Sequence, residues 1–202
     1  MLQYKTIEPG TLQLLRELQS LPLMQGTRLV GGTALALQLG HRRSVDLDFF
    51  GTMETISEEI RTTLSKSHKV TILKESKNIN IYLVDNVKVD IVNYAYSWIS
   101  DPVLEEGLRL ASAKDIAAMK ISAIEGRGTK KDFIDLYFLL NQYSLREILD
   151  LYMRKYQEGS LFVAMKSLSY FEDAELDPMP LMYEDVSWEQ IKERIRKELS
   201  LL

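Results

Sequence analysis

The sequence contains no cysteine. That excludes disulfides and thiolate zinc sites, and it fits a cytoplasmic location. Histidine is nearly as scarce. His41 and His68 are the only two, and neither has a partner at metal-ligand spacing, which argues against a zinc centre. No apolar run is long enough to span a membrane, and the opening MLQYKTIEPGTLQLL lacks the basic segment and apolar stretch of a secretory signal. Excess positive charge is missing too. A net charge of -4 rules out a uniformly basic surface, but it leaves room for a local basic patch and hence for nucleic acid as a partner. Internal repeats and low-complexity runs are absent.

What is present is a chain of 202 residues, 46% of them hydrophobic, enough to bury a core in one domain or two small ones. Leu12, Leu14, Leu15 and Leu18 recur at helical spacing between Pro9 and Leu21, and Pro22 closes that helix. Arg28-Leu29-Val30 reads as a short strand leading into Gly31-Gly32. Thr33 to Leu39 then reads as an apolar helix ended by Gly40. From Ser44 to Phe50 the chain alternates, with Val45, Leu47 and Phe49 on one face and Asp46 and Asp48 on the other, as in a half-buried strand. Glu58 to Ser67 is a polar amphipathic helix. Lys69 to Leu73, Ile79 to Val84 and Val87 to Val92 are strands, the last two joined by a tight turn at Asp85-Asn86. After Pro102 the pattern becomes helical: Ser112 to Glu125 with a capping-box-like start, a break at Gly126-Arg127-Gly128, a helix from Thr129 to Asn141, then Leu145 to Tyr156, Ser160 to Ser167 and Ser187 to Leu199. The acidic stretch from Glu172 to Asp185, with Pro178 and Pro180, reads as loop.

Three aspartates carry the chemistry. Asp46 and Asp48 are two apart on a strand, so their carboxylates project from one face. Asp90, on another strand, also faces away from the apolar side. If the two strands are neighbours, three carboxylates converge. Paired carboxylates repel each other, and a divalent cation relieves that repulsion; three hard oxygen donors suit Mg²⁺. Alone, an Asp-x-Asp on an alternating strand is an ordinary solvated face. Gly31-Gly32-Thr33 changes the balance, because glycines admit a phosphate close to the backbone and the following helix start offers free N–H groups. Together the two motifs describe a phosphate cradle beside a metal site.

The run GGTALALQLGHRRSVDLDFF resembles the signature of the nucleotidyltransferase superfamily, and in particular of the AbiEii/AbiGii-type toxin family of toxin–antitoxin and phage-defence systems. VKVDIV is similar to that family's Lys-x-Asp element, here Lys88 and Asp90. SAKDIAAMKISAIEGRGTKKDFIDLYFLL is similar to its later motifs. By residue type alone, Lys120 is a snorkelling lysine. The resemblance instead sends it into the cleft to contact a triphosphate. Asp132 suits the first turn of its helix. Asp135 shares that face and is the better candidate for a nucleotide-side contact. Arg127, Lys130 and Lys131 form the best local basic patch and the expected RNA contact; a solvated helix start explains them nearly as well.

The resulting expectation is an α+β protein, with a mixed-sheet nucleotidyltransferase domain over residues 1–99 and a helical domain over 100–202 that completes the cleft. Asp46, Asp48 and Asp90 would hold two Mg²⁺ ions, or Mn²⁺ in their place, ~3.5–4 Å apart as in two-metal sites generally. Gly31, Gly32, Thr33, Lys120 and Asp135 would handle the nucleoside triphosphate. The resemblance further implies RNA as acceptor, most specifically the 3′ end of a tRNA, and an antitoxin as partner protein. A protein hydroxyl as acceptor, and a non-catalytic binding module of the same fold, stay open beside that reading.

Overall fold

Alternating apolar residues along the strands and leucine stripes along the helices assemble an α+β architecture in the computed structural model, which describes residues 1–53 and 57–202. Seven strands form one mixed sheet: β1 (Thr27–Val30), β2 (Leu47–Gly51), β3 (Val70–Lys74), β4 (Ile79–Val84), β5 (Val87–Asn93), β6 (Val103–Glu105) and β7 (Leu108–Leu110), in the spatial order β3-β4-β5-β2-β1-β7-β6. β2 pairs antiparallel to β1 and parallel to β5. β4 and β5 form a hairpin whose turn places Asp85 and Asn86 at φ 48° and 71°. Both central residues of such a turn need positive φ, which Asp and Asn tolerate.

The helices are α1 (Pro9–Ser20), α2 (Gly31–Leu39), α3 (Ser57–Leu64), α4 (Ala113–Gly126), α5 (Lys130–Leu139), α6 (Leu145–Lys155), α7 (Leu161–Leu168), the single turn α8 (Glu172–Glu175) and α9 (Trp188–Ser200). Gly40 ends α2 in the left-handed conformation at φ 76°, the usual glycine stop. Ser112 accepts from the Asp115 amide at the start of α4. One hydrophobic cluster runs from Leu14 of α1 through Leu29, Phe49 and Ile91 of the sheet to Ile121, Phe133, Ile148 and Ile195 of the helices.

Two departures from the sequence reading bear on the site. The sheet does not stop at Ile99. β6 and β7 extend it through a hairpin at Glu106-Gly107, with φ 50° and 80°, and β7 runs parallel to β1. The sheet-forming part therefore reaches Leu110, and α4 follows directly. Likewise β2 begins at Leu47, not Ser44, and Val45 is exposed. β1 ends at Val30, opposite Asp48, so residues before Leu47 have no strand on the β1 side. They are pinned elsewhere: the Arg43 amide donates to the Leu181 carbonyl and the Ser44 amide to the Thr6 carbonyl.

Candidate active site

The floor of the site is set by strand register. Val30 pairs with Asp48, and Asp48 pairs in turn with Asp90 across the parallel β2–β5 ladder. The two carboxylates therefore stand side by side on neighbouring strands. Burial and the Asp90 charge push the Asp48 carboxyl up to about 6, against a smaller opposing pull from Lys88. Lys88 Nζ lies 2.7 Å from both oxygens of Asp90, well aligned only on Oδ2; Oδ1 is buried without a properly oriented donor. Asp46 sits just before β2 and faces the neighbouring cavity.

Above this floor the chain turns from β1 into α2 at Gly31, with φ 68°. A Cβ there would lie 2.5 Å from Asp48 Oδ2, and one at Gly32 would strike the Arg42 guanidinium. Only glycine keeps this space open. The buried Thr33 hydroxyl donates to the Asp46 carbonyl and lies 2.8 Å from Ser44 Oγ. It fixes the Asp46 backbone instead of reaching toward a ligand; its amide remains at the helix start.

Behind the floor lies a buried ion network. Arg42 grips Asp135 with two bonds, Nε to Oδ1 at 2.7 Å and Nη2 to Oδ2 at 2.9 Å. His41 Nε2 lies 2.8 Å from the same Oδ1. Lys120 Nζ bridges Asp135 at 2.6 Å and Asp132 at 2.9 Å. Asp132 also accepts from Arg127 and from the Thr129 hydroxyl. Burial alone would raise both carboxyls, but Arg42 and Lys120 hold Asp135 well below the usual range, and Lys120 and Arg127 hold Asp132 there. Burial would likewise lower the Lys120 ammonium, and Asp135 and Asp132 raise it instead.

Several expected site residues thus take different places. Asp135 is fully buried, and His41, Arg42 and Lys120 surround its two oxygens. The expected contact with a nucleotide therefore has no free oxygen to make it, and Asp135 instead holds Arg42 and Lys120 in place. Lys130 is buried, and its ammonium donates to the carbonyls of Glu175 and Asp177, so the basic patch reduces to Arg127 and Lys131. Lys120 lines both cavities, with its ammonium bound to Asp132 and Asp135.

Two cavities meet at Asp48, Lys120 and Arg127. The smaller, about 310 Å³, has Gly32, Ser44, Asp46, Lys88 and Lys131 on its walls. The larger, about 640 Å³, carries Asp90 and Gly31 at the floor and a wall of Phe50, Tyr94, Tyr96, Tyr152 and Tyr156. The sequence reading missed this aromatic chamber. Its traces were Tyr94 and Tyr96 at strand-like spacing and Tyr152 and Tyr156 one helical turn apart. Among the described residues no group of three or more His, Asp or Glu side chains forms a metal cage by itself; the expected convergence of all three aspartates is not formed, because Asp46 lines the smaller cavity and Asp90 the larger. The residues nonetheless suit a hard cation that keeps waters and phosphates as further ligands: two registered carboxylates, one with its ionisation suppressed. No helix among the described residues is long and apolar enough to cross a membrane.

Residues 13–201 match the family described as nucleotidyl transferase AbiEii toxin of type IV toxin–antitoxin systems. An uncharacterized protein of Aquifex aeolicus (strain VF5), aq_aa25, is 37% identical over 193 residues, covering 92% of each chain. Among solved structures, JHP933 from Helicobacter pylori aligns with a TM-score of 0.64 at 24% identity, over 96% of this chain and 92% of that one. MenT4, a nucleotidyltransferase toxin of Mycobacterium tuberculosis H37Rv, aligns with a TM-score of 0.58 at 15% identity, over 94% and 84%. At these identities the two structural likenesses establish the fold.

Proposed function

This chain belongs to the AbiEii nucleotidyl transferase toxin family, and from that membership and the cleft's geometry we propose that it moves a nucleoside monophosphate from a nucleoside triphosphate onto the 3′ hydroxyl of an RNA, a tRNA end being the leading acceptor. The observation that carries this is the registration of Asp48 with Asp90 beneath Gly31, a position where any side chain would meet the Asp48 carboxylate. Asp48 and Asp90, with Asp46 at the edge of the smaller cavity, would hold Mg²⁺, which when bound neutralises phosphate charge and makes a hydroxyl easier to deprotonate.

The chain's own residues do the rest. Gly31, Gly32 and the amide of Thr33 offer a backbone surface on which a phosphate can rest at the start of α2. Lys88, Arg127 and Lys131 bring positive charge to the smaller cavity, which suits the triphosphate tail. Lys120, fixed by Asp132 and Asp135, contributes its charge where the two cavities join. Asp90 lines the larger chamber, which supports a role for it in taking the proton of an incoming hydroxyl. The hydroxyl oxygen forms the new bond to the α-phosphorus as the bond to the bridging oxygen of pyrophosphate breaks. Positioning and charge neutralisation are the main sources of rate in such a displacement. The type IV toxin–antitoxin description of the family supports an antitoxin partner.

The test is incubation with each of the four α-labelled nucleoside triphosphates, Mg²⁺ and total cellular RNA. Label at RNA 3′ ends is the expected result. Label on protein alone would replace RNA with a protein acceptor.

A further inference from the structure

The larger chamber contains a polar group that the transfer chemistry leaves unused. Glu125, near the end of α4, lines this chamber. Its Oε2 accepts from the Tyr152 hydroxyl at 2.7 Å. Its Oε1 is buried with no hydrogen-bond partner. A carboxylate oxygen withdrawn from water with nothing to accept from is costly, and such groups call for an explanation. The side chain is deliberately held: a Cβ on Gly159 would fall 2.5 Å from the Tyr152 hydroxyl, so glycine at that position keeps clear the space the hydroxyl occupies. Glu125 also borders a second cavity, beside Arg127 and Lys166, but the chamber it shares with Tyr152 is aromatic. Tyr94 and Tyr156 hydrogen-bond to each other at 2.8 Å, and the Tyr96 ring packs edge-on against Tyr156 at 4.7 Å.

An aromatic wall offers stacking to any flat base. A lone carboxylate acceptor adds a directional demand: it pairs with an amino group, as acidic side chains do with the cytosine N4 amine. Glu125 and Glu158, which accepts from the Tyr96 hydroxyl, also make this chamber unfavourable for phosphate. We propose that the larger chamber is a nucleobase site and that Glu125 is its specificity-determining residue, accepting from the exocyclic amino group of adenine, cytosine or guanine and disfavouring uracil. Uracil has no amino group, and its single N3–H lies between two carbonyl oxygens that repel the carboxylate. The inference rests on the nucleotidyl-transfer reading of the same cleft. The base in the chamber is that of the triphosphate or that of the acceptor's last nucleotide, and both present the same chemistry.

Two measurements separate those sources. In the first, binding of ATP, CTP, GTP and UTP is measured with Mg²⁺ and no acceptor. In the second, transfer is measured onto RNA oligonucleotides that differ only in ending with A, C, G or U. In one arm the uracil member should be at least ~10-fold weaker, the low-to-middle range for a single base-reading contact. Glu125→Gln should abolish or reverse that preference, since an amide presents a donor to the uracil carbonyl. Tyr96→Ala should weaken all bases in the same arm alike. Discrimination in the binding arm assigns the chamber to the triphosphate, and discrimination in the transfer arm assigns it to the acceptor. Indifference to base in both arms of the wild type, or an unchanged pattern in a folded Glu125→Gln variant, overturns the proposal while transfer itself stands. Base-selective binding with no transfer to any acceptor keeps the proposal and removes the reading on which it rests. The wild-type comparison needs no variant, so a Glu125→Gln chain that fails to fold leaves the proposal testable.

Discussion

Asp48 is a carboxylate kept under strain by its neighbours, and its ionisation gives the most specific residue-scale prediction. Its carboxyl titrates near 6 in the folded chain against an ordinary value of 3.8. Between those values the native state holds a proton that the unfolded state has lost, so stability falls as pH rises through the window. Above it the full cost is present. In metal-free buffer Asp48→Asn should therefore be more stable than wild type above about pH 6, by on the order of 1–3 kcal/mol, and equal to it below about pH 4. Urea unfolding across pH in chelator tests this; a variant equally stable at pH 7 would mean Asp48 is ordinary. Asp135 has the opposite sign. Its folded value is depressed by Arg42 and Lys120, so its contribution is present above the usual carboxylate range and lost as pH falls through its native value. Asp135→Asn leaves two buried cations short of charge and should cost about 3–5 kcal/mol at neutral pH, with the deficit shrinking in acid. A loss under 1 kcal/mol would show that the network is not tightly coupled.

At the scale of elements, the junction of β1 and α2 makes the site. Gly31 and Gly107 both sit at positive φ, but a Cβ meets Asp48 at the first and open space at the second. Either Ala substitution should cost roughly 1–3 kcal/mol of backbone strain. Only Gly31→Ala should also abolish the increase in melting temperature on adding Mg²⁺. Equal Mg²⁺ responses in the two variants would separate this junction from metal binding. Most elements were legible because they carry local signals: leucine spacing in α1, β-rich composition in β4, alternation in β5, the serine cap of α4. The β6–β7 hairpin was not. Its strands are three residues each, too short to show a period, and only Glu106-Gly107 marked the turn. The Asp48–Asp90 floor was readable as two motifs, but their adjacency depends on β2 pairing with β5 across an intervening helix and two strands. The fates of Asp135 and Lys130 were hidden for the same reason. Their partners lie 93 and 45–47 residues away in sequence, and spacing on one helix says nothing about what packs against it.

Across the whole molecule the net charge is -4, so the proposed RNA acceptor would be held by a few local cations against a repelling surface. Arg127 and Lys131 are the exposed pair at the cleft. Replacing both by Ala should lower the salt dependence of RNA binding by up to about two units of slope, roughly 0.7–0.9 for each phosphate that is no longer neutralised. Lys130→Ala should leave the slope alone and destabilise the fold instead. A slope that moves with Lys130 would relocate the RNA path. The central claim is that the Asp48–Asp90 floor performs nucleotidyl transfer. Pyrophosphate release from nucleoside triphosphate with Mg²⁺ and total RNA tests it most directly, comparing wild type with Asp48→Asn at a temperature where both are folded. Wild type should release pyrophosphate in step with label incorporated into RNA, and the variant should fall by at least ~100-fold, as for loss of a group that stabilises the transition state. Wild-type turnover in the variant, or pyrophosphate release that chelation of Mg²⁺ does not stop, would contradict the account.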